Sequence, residues 1–283
     1  MELKFSLVVA TLGRYDELRG FFNSIKNINY PLDKIEIVVV DQNDELNLKP
    51  LIEEFLDLNI VYIKSDVKGL SQNRNIGLKQ CAGDIIAFPD DDCEYLNDTL
   101  NIVNEFFDEN KDNSVVMGRI VQRDGSDSLR VWPKETITIT KSNFYTKCSS
   151  ITMFIKKNSK TLKFNEKLGT GNYFGACEDA EMIYGFLKEG LKITYNPELR
   201  LYHPHYSSSH NMSAQKVYSY GLGFGAFCRS RFDFHKFMLF FKAEGFHFVN
   251  TLIGVITFNK ERMKKGFNAF VSRIKGFITY KSY

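Results

Sequence analysis

Between residues 5 and 210 short apolar runs alternate with longer amphipathic stretches. Ser6–Thr11, Ile35–Asp41 and Ile60–Ile63 are nearly all apolar, the pattern of strands buried on both faces of a parallel sheet. Ile85–Phe88 continues the series and must stop at Pro89, which has no N–H to give to a ladder. Between these runs, Asp16–Ile28 places Leu18, Phe21, Phe22 and Ile25 on one helical face, and Pro31 closes the connection. Leu48–Leu56 reads as a second helix. A third is expected with Ser71 as its N-cap and Gly83 as its terminator. The β-α-β-α-β order predicts an α/β fold: a mostly parallel, Rossmann-like sheet with right-handed crossovers and helices on both faces. Further on, Leu96–Phe107 predicts a helix, and Val115–Val121, Ile151–Ile155, Ile193–Tyr195 and Leu199–Tyr202 predict strands. Residues 124–147 are loop-rich; Trp132, the only tryptophan, is expected to pack on the sheet.

The polar positions carry the chemistry. Asp90, Asp91 and Asp92 follow the apolar run ended by Pro89, at the carboxyl end of a central strand, where open α/β sheets bind ligands. Three adjacent carboxylates repel one another. They form either a solvated acidic turn or a site for a hard divalent cation, Mg²⁺ or Mn²⁺. Arg74 is expected in the first turn of its helix, where a cation opposes the dipole. A diphosphate partner accounts for it; so does a structural pair with Asp66 or Asp84. Leu168–Glu181 carries three glycines and then Glu178, Asp179 and Glu181 at the start of a helix that runs to Lys188 and stops at Gly190. The dipole alone favours acids there. Alternatively one of them is a general base, which is typically worth about 10²–10⁴-fold in rate. His203, His205 and His210 follow the last strands at a spacing that does not suit zinc. His203 reads either as a metal ligand or as a plain strand-end histidine.

The five cysteines are odd in number and contain no C-x-x-C pair, which argues against a disulfide framework or a structural zinc and fits a reducing cytosol. The N-terminal residues lack the marks of a signal peptide. Net charge is +3, but residues 211–283 hold twelve Lys/Arg against three Asp/Glu, and thirteen of the twenty-five phenylalanines. This split points to two parts with different partners. In the second part, Phe234–Phe241 is aromatic and basic. Gly245–Phe258 is apolar but broken by His247, Asn250 and Thr257, and at fourteen residues reads as too short to span a bilayer. Lys260, Arg262, Lys264 and Lys265 precede Phe267, Phe270, Ile274 and Phe277, the pattern of an amphipathic helix at an anionic membrane surface. The alternative is a helical extension packed on the catalytic part or on a second subunit. Nucleic acid is not expected, since the first part is net acidic and no recognition motif is present.

Four motifs occur in order: Thr11-Leu12-Gly13-Arg14, Arg74-Asn75-x-Gly77, Asp90-Asp91-Asp92, and Glu178-Asp179 after a glycine loop. Together they make residues 5–210 resemble the family 2 glycosyltransferases, which have the GT-A fold and are mostly inverting. The resemblance implies that Thr11, Arg14 and Asp41 line a nucleotide pocket, with Asp41 near the base, and that Arg74 touches the diphosphate. Asp90 and Asp92 form the D-x-D pair, Asp92 foremost as metal ligand with His203 as a further candidate, and Asp91 faces ribose or sugar. Asp179 becomes the general base, with Glu178 orienting a substrate. Ala176-Cys177 departs from the small glycine-type residues common in the family at that point. The implied enzyme transfers a sugar from a nucleotide-diphosphate sugar, a UDP-sugar before others, to a saccharide or lipid-linked saccharide in surface-polysaccharide synthesis. Its cofactor is Mn²⁺ or Mg²⁺, and its place is cytoplasmic, peripheral at the inner face of the membrane. The expected domains are a catalytic domain at 1–210, with a nucleotide-sugar half at about 1–95 and an acceptor half at about 96–210, and a helical membrane-associating extension at 211–283. Homodimerisation stays open. The rival readings are a nucleotidyltransferase and a non-catalytic subunit that binds sugar nucleotides or glycolipids.

Overall fold

The computed structural model describes residues 2–157, 162–204 and 213–281. The chain divides into two compact units. One comprises Met1–Lys68, Gln72–Lys163 and Phe186–Tyr206; the other Gly69–Ser71, Phe164–Gly185 and Ser207–Tyr283.

The first unit is built on a nine-stranded sheet. Its leading strands are β1 (Phe5–Thr11), β2 (Ile35–Asp41), β3 (Asn59–Lys64) and β4 (Ile85–Ala87), parallel in the order β3-β2-β1-β4. Four-to-seven-residue apolar runs joined by helices can pair only this way, because parallel neighbours need a crossover. Register aligns Thr11 with Asp41 and Asp41 with Lys64, so these residues share the carboxyl edge. Beyond β4 the sheet turns mixed. β8 (Met153–Lys156) runs antiparallel to both β4 and β6 (Asn113–Val121), and β6 runs parallel to β9 (Lys192–Tyr202). β5 (Glu94–Tyr95) and β7 (Ile137–Thr138) pair antiparallel with β9. The two late strands expected from the sequence are thus one. Asn196–Glu198 is absorbed as an irregularity, where Pro197 leaves the ladder and its carbonyl accepts from Arg119 Nε at 2.9 Å.

Alternate positions along the parallel strands explain the two helical layers. Leu7, Val9, Ile37 and Val39 join a core with α1 (Asp16–Lys26) and α4 (Thr99–Glu109), through Leu18, Phe21, Phe22, Leu100 and Val103. Val8 and Val40 face the other way, toward α3 (Leu70–Leu78), where a Cβ on Gly77 would come within 2.6 Å of Val8. Gly77 is needed for that close approach. α2 is shorter than its pattern suggests, Lys49–Glu53. Two helix-boundary readings are corrected. Ser71 is not the N-cap but the second residue of α3, its Oγ donating to Leu168 O at 2.6 Å. Gly83 is not a helix terminator: a Cβ there would meet the Ser6 backbone at 2.7 Å, so it serves the approach to β1. Trp132 is buried, donates from Nε1 to Ser128 O at 2.9 Å, and stacks on Tyr195 at 6.2 Å between ring centres.

The second unit joins the glycine-rich loop and the start of α5 (Glu178–Lys188) to α6 (Ala214–Arg229), α7 (Phe234–Ile256) and α8 (Lys260–Thr279). The two segments read as separate around residues 234–258 form one 23-residue helix, α7, capped by Asp233. By length and composition that helix is sufficient to cross a membrane, which corrects the fourteen-residue reading. α6 and α8 pack backbone to backbone. A Cβ on Gly225 would collide with Arg273 O, and one on Gly276 with Leu222 O.

Candidate active site

The carboxyl edge of the parallel strands gathers the charged residues. Asp41 ends β2 fully buried. Its Oδ1 accepts from Asn43 N and Nδ2, both at 2.7 Å, and its Oδ2 from Tyr62 Oη at 2.6 Å and Lys64 Nζ at 3.0 Å. Burial alone would raise this carboxyl, but the hydrogen bonds from Tyr62, Asn43 and Lys64 outweigh it and hold it below the usual range. Asn43 in turn accepts from Gly13 N at 2.6 Å, and Gly13 turns the chain at φ +72°. Asp41 therefore fixes the turn that leads from Thr11 to Arg14. Beside it, Asn73 on α3 donates to Gln42 Oε1 at 3.0 Å and to Val67 O at 2.8 Å.

The acidic triplet follows β4 as a turn closed by Cys93 N donating to Asp90 O at 3.3 Å. Arg74 reaches it from α3. The side chain is only 1% exposed and its NH2 lies 2.7 Å from Asp90 Oδ1. Arg74 sits in the second turn of the helix, not the first, and its ion pair is with Asp90, not with Asp66 or Asp84. Asp92 lies 3.6 Å from Arg14 NH2 and 3.3 Å from His203 Nε2. Arg14 also pairs with Glu17 at 2.5 Å, and that hydrogen bond lowers the Glu17 carboxyl. His203 follows β9 directly. Its Nδ1 lies 2.8 Å from the Pro204 carbonyl, which can only accept, so Nδ1 carries the proton and Nε2 faces Asp92. Burial works against the charged imidazole, but the Asp92 and Asp90 carboxylates prevail and raise its pKa. Asp91 is pushed up to about 7, first by burial and further by its two acidic neighbours, with Thr11 and Arg14 drawing it down.

One ligand atom each from Asp90, Asp92 and His203 lies within 4.8 Å of the others. Two hard oxygens and an imidazole nitrogen, its ring oriented by a backbone carbonyl, are a donor set that fits Mn²⁺ or Mg²⁺. His205 and His210 lie outside the described residues.

In the helical unit, Gly169 and Gly171 adopt φ +100° and +88°, and Cys177 holds φ +70° just before α5. A Cβ on Gly169 would stand 3.2 Å from the Glu178 carboxylate. Asp179 Oδ1 accepts from Ala180 N at 2.6 Å. The third acid of the turn has a different part. Glu181 is buried and accepts from Ser230 Oγ at 2.5 Å, Arg231 Nε at 3.1 Å and Lys236 Nζ at 2.8 Å.

Residues 6–175, more than half of the chain, match the family described as Glycosyl transferase family 2. The chain is a family 2 glycosyltransferase. Among its relatives, the poly(ribitol-phosphate) beta-N-acetylglucosaminyltransferase TarS of Staphylococcus aureus is 30% identical over 111 residues, 38% of this chain and 19% of that protein. The minor teichoic acid biosynthesis protein GgaB of Bacillus subtilis is 27% identical over 204 residues, 65% of this chain and 22% of the relative. The matched region is thus about a fifth of each relative's length. The crystal structure of S. aureus TarS 1-349 with UDP-GlcNAc superposes with a TM-score of 0.68 at 21% identity, covering 97% of this chain and 81% of the other. A mannosyltransferase from Pyrobaculum calidifontis, with GDP-Man and Mn²⁺, gives 0.62 at 14%, covering 100% and 89%. At these identities the likeness shows the fold, and the GT-A expectation holds.

In this glycosyltransferase the sheet unit brings Arg14, Arg74, Asp90, Asp92 and His203 into one cluster, with Thr11 against Asp91. Glu178 and Asp179 belong to the helical unit. Sequence reasoning passed over Asn43, Tyr62, Lys64 and Glu17. Tyr62 and Lys64 could have been found from β3 alone, since they share a face at spacing two and Lys64 is level with Asp41.

Proposed function

We propose that the protein transfers a sugar from a nucleotide-diphosphate sugar to a hydroxyl of a saccharide or lipid-linked saccharide in cell-surface polysaccharide synthesis, with inversion. The observation that carries this reading is the Asp90, Asp92 and His203 cluster at the carboxyl edge of the parallel strands, with Arg74 buried against Asp90. Donor handling falls to about residues 1–95, acceptor handling to about 96–210, and membrane association to 211–283. Asp90, Asp92 and His203 would hold the Mn²⁺ or Mg²⁺. When bound, that ion supplies electrostatic stabilisation to the departing nucleoside diphosphate. Arg74 and Arg14 add positive charge beside the leaving group. Thr11 and Asp91 line the donor pocket, and Asp41 fixes its Gly13 turn. Asp179 takes the proton from the attacking hydroxyl as its oxygen bonds to the anomeric carbon and the bond to the diphosphate breaks, while Glu178 orients the acceptor. The UDP-GlcNAc complex of TarS supports a UDP-sugar donor, and the names of TarS and GgaB support a wall polymer as acceptor. The basic, phenylalanine-rich C-terminal region supports a peripheral place on the cytoplasmic face of the membrane.

The test is nucleoside diphosphate release from UDP- and GDP-sugars with Mn²⁺ or Mg²⁺. Release of one diphosphate is expected, abolished by chelator and by Asp92→Ala. Asp179→Asn should lower transfer by about 10²–10⁴-fold. Folded protein that binds no sugar nucleotide in calorimetry, with metal present, would overturn the reading.

A further inference from the structure

α7 is inverted relative to an ordinary surface helix. Lys236, Glu244 and Asn250 are turned toward protein, while His235 and Lys242 are exposed. Lys236 is 0% exposed and donates to Phe227 O at 2.7 Å and Ser230 O at 2.6 Å as well as to Glu181. Glu244 is buried, and Asn250 accepts from Arg262 of α8 at 2.7 Å. The opposite side carries Phe234, Phe237, Phe241, Phe248, Leu252 and Ile256, each 45–74% exposed. At about 100° per residue these fall in one stripe roughly 120° wide, about 34 Å long for the whole helix, with no charged residue inside it. A contiguous apolar surface of this size marks an interaction site.

We infer that this stripe lies in the plane of an anionic lipid bilayer, with α7 sunk to the depth of its side chains and not crossing. The inference rests on the reading of the chain as a membrane-side transferase. Charge selects the occupant. Lys242, Lys260, Arg262, Lys264 and Lys275 are exposed on α7 and α8, against Glu261 as the exposed acid of the two helices. Anionic headgroups complement that surface. A second copy docked two-fold through the same stripe would set basic residues against basic residues. Depth follows from the inner face. A crossing helix would have lipid all round, yet the inner face of α7 holds the Lys236–Glu181 pair and Glu244. α8 also runs beside it so closely that a Cβ on Gly266 would come within 2.6 Å of Thr251 Oγ1. Crossing would expose these polar groups to hydrocarbon or carry the lysines of α8 with them, and both are costly. One-sided burial keeps these groups against protein and leaves only the apolar stripe to the lipid.

The test uses the full chain and vesicles of phosphatidylcholine with and without phosphatidylglycerol. Co-sedimentation is expected with the anionic vesicles, reduced at least about tenfold by high salt or by omission of phosphatidylglycerol. Carbonate washing should release the protein. Phe234→Glu with Phe241→Glu should lower partitioning at least about tenfold without changing thermal unfolding, since these side chains are 72% and 67% exposed. Lys260→Glu with Lys264→Glu should remove the anionic preference alone. Resistance to carbonate would show a crossing helix and overturn the inference. So would absence of vesicle binding, or a dimer in light scattering that Phe241→Glu dissolves. Donor binding measured on the same preparations separates the two readings. Donor binding without vesicle binding defeats this inference only, and vesicle binding without donor binding defeats the transferase reading.

Discussion

Lys236 and Glu244 stand two helical turns apart on one buried face of α7, and their surroundings treat them oppositely. Burial disfavours the Lys236 ammonium, but Glu181 and two carbonyls satisfy it. Glu181→Ala would leave that cation buried without its counter-charge, a loss of about 3–5 kcal/mol in stability, measured by denaturant unfolding. Among the described residues neither Glu244 oxygen has a hydrogen-bond partner, and burial pushes the carboxyl up to about 7 while the Arg273 charge draws it down. A carboxyl raised in the folded state binds its proton more tightly there than in the unfolded chain. Its contribution to stability is fully present below the ordinary Glu pKa and is lost as pH rises toward and through about 7. The melting temperature should therefore fall between roughly pH 5 and pH 8, and Glu244→Gln should flatten that part of the profile. An unchanged profile in the variant would assign the pH dependence to other groups.

At the scale of elements, α6 shapes the loop that leads into α5. A Cβ on Gly223 would lie 2.6 Å from Ala176 N, and one on Gly175 would collide with Ser219 Oγ. Gly223→Ala must push Ala176 and, through it, Cys177 and Glu178. On the roles proposed for Glu178 and Asp179, a displacement of about 1 Å can cost about 10²-fold, so transfer should fall on that order while donor affinity in calorimetry stays constant. Equal loss of both would point to general unfolding. This dependence was not legible in the sequence. The parallel half of the sheet was, because β1, β2 and β4 are buried on both faces and their apolar runs carry no competing signal. The Asp90–Asp92 turn was legible because Pro89 ends the strand in front of it. What escaped depended on distant pairing. Arg74 looked like a misplaced helix cation until Asp90 was seen beside it, and Glu181 shared the helix-start signature of Glu178 and Asp179 while bonding to α7. The inversion of α7 was hidden as well, since its composition is the same whichever side faces inward.

The two units divide the chain in a way no single cut reproduces, because Phe164–Gly185 belong with the C-terminal helices. A chain ending at residue 212 should lose vesicle binding and sugar transfer together while keeping donor affinity. Retained transfer would show the helices to be an anchor and nothing more. Following such a change calls for a probe that sees one unit at a time, and the stacked pair on the sheet supplies it. Trp132 and Tyr195 both lie in the sheet unit, and no other tryptophan exists in the chain. Indole emission is therefore silent about α6, α7 and α8, whereas circular dichroism weighs those long helices heavily. Where the two optical transitions part on heating, the unit that melts first is identified without a label.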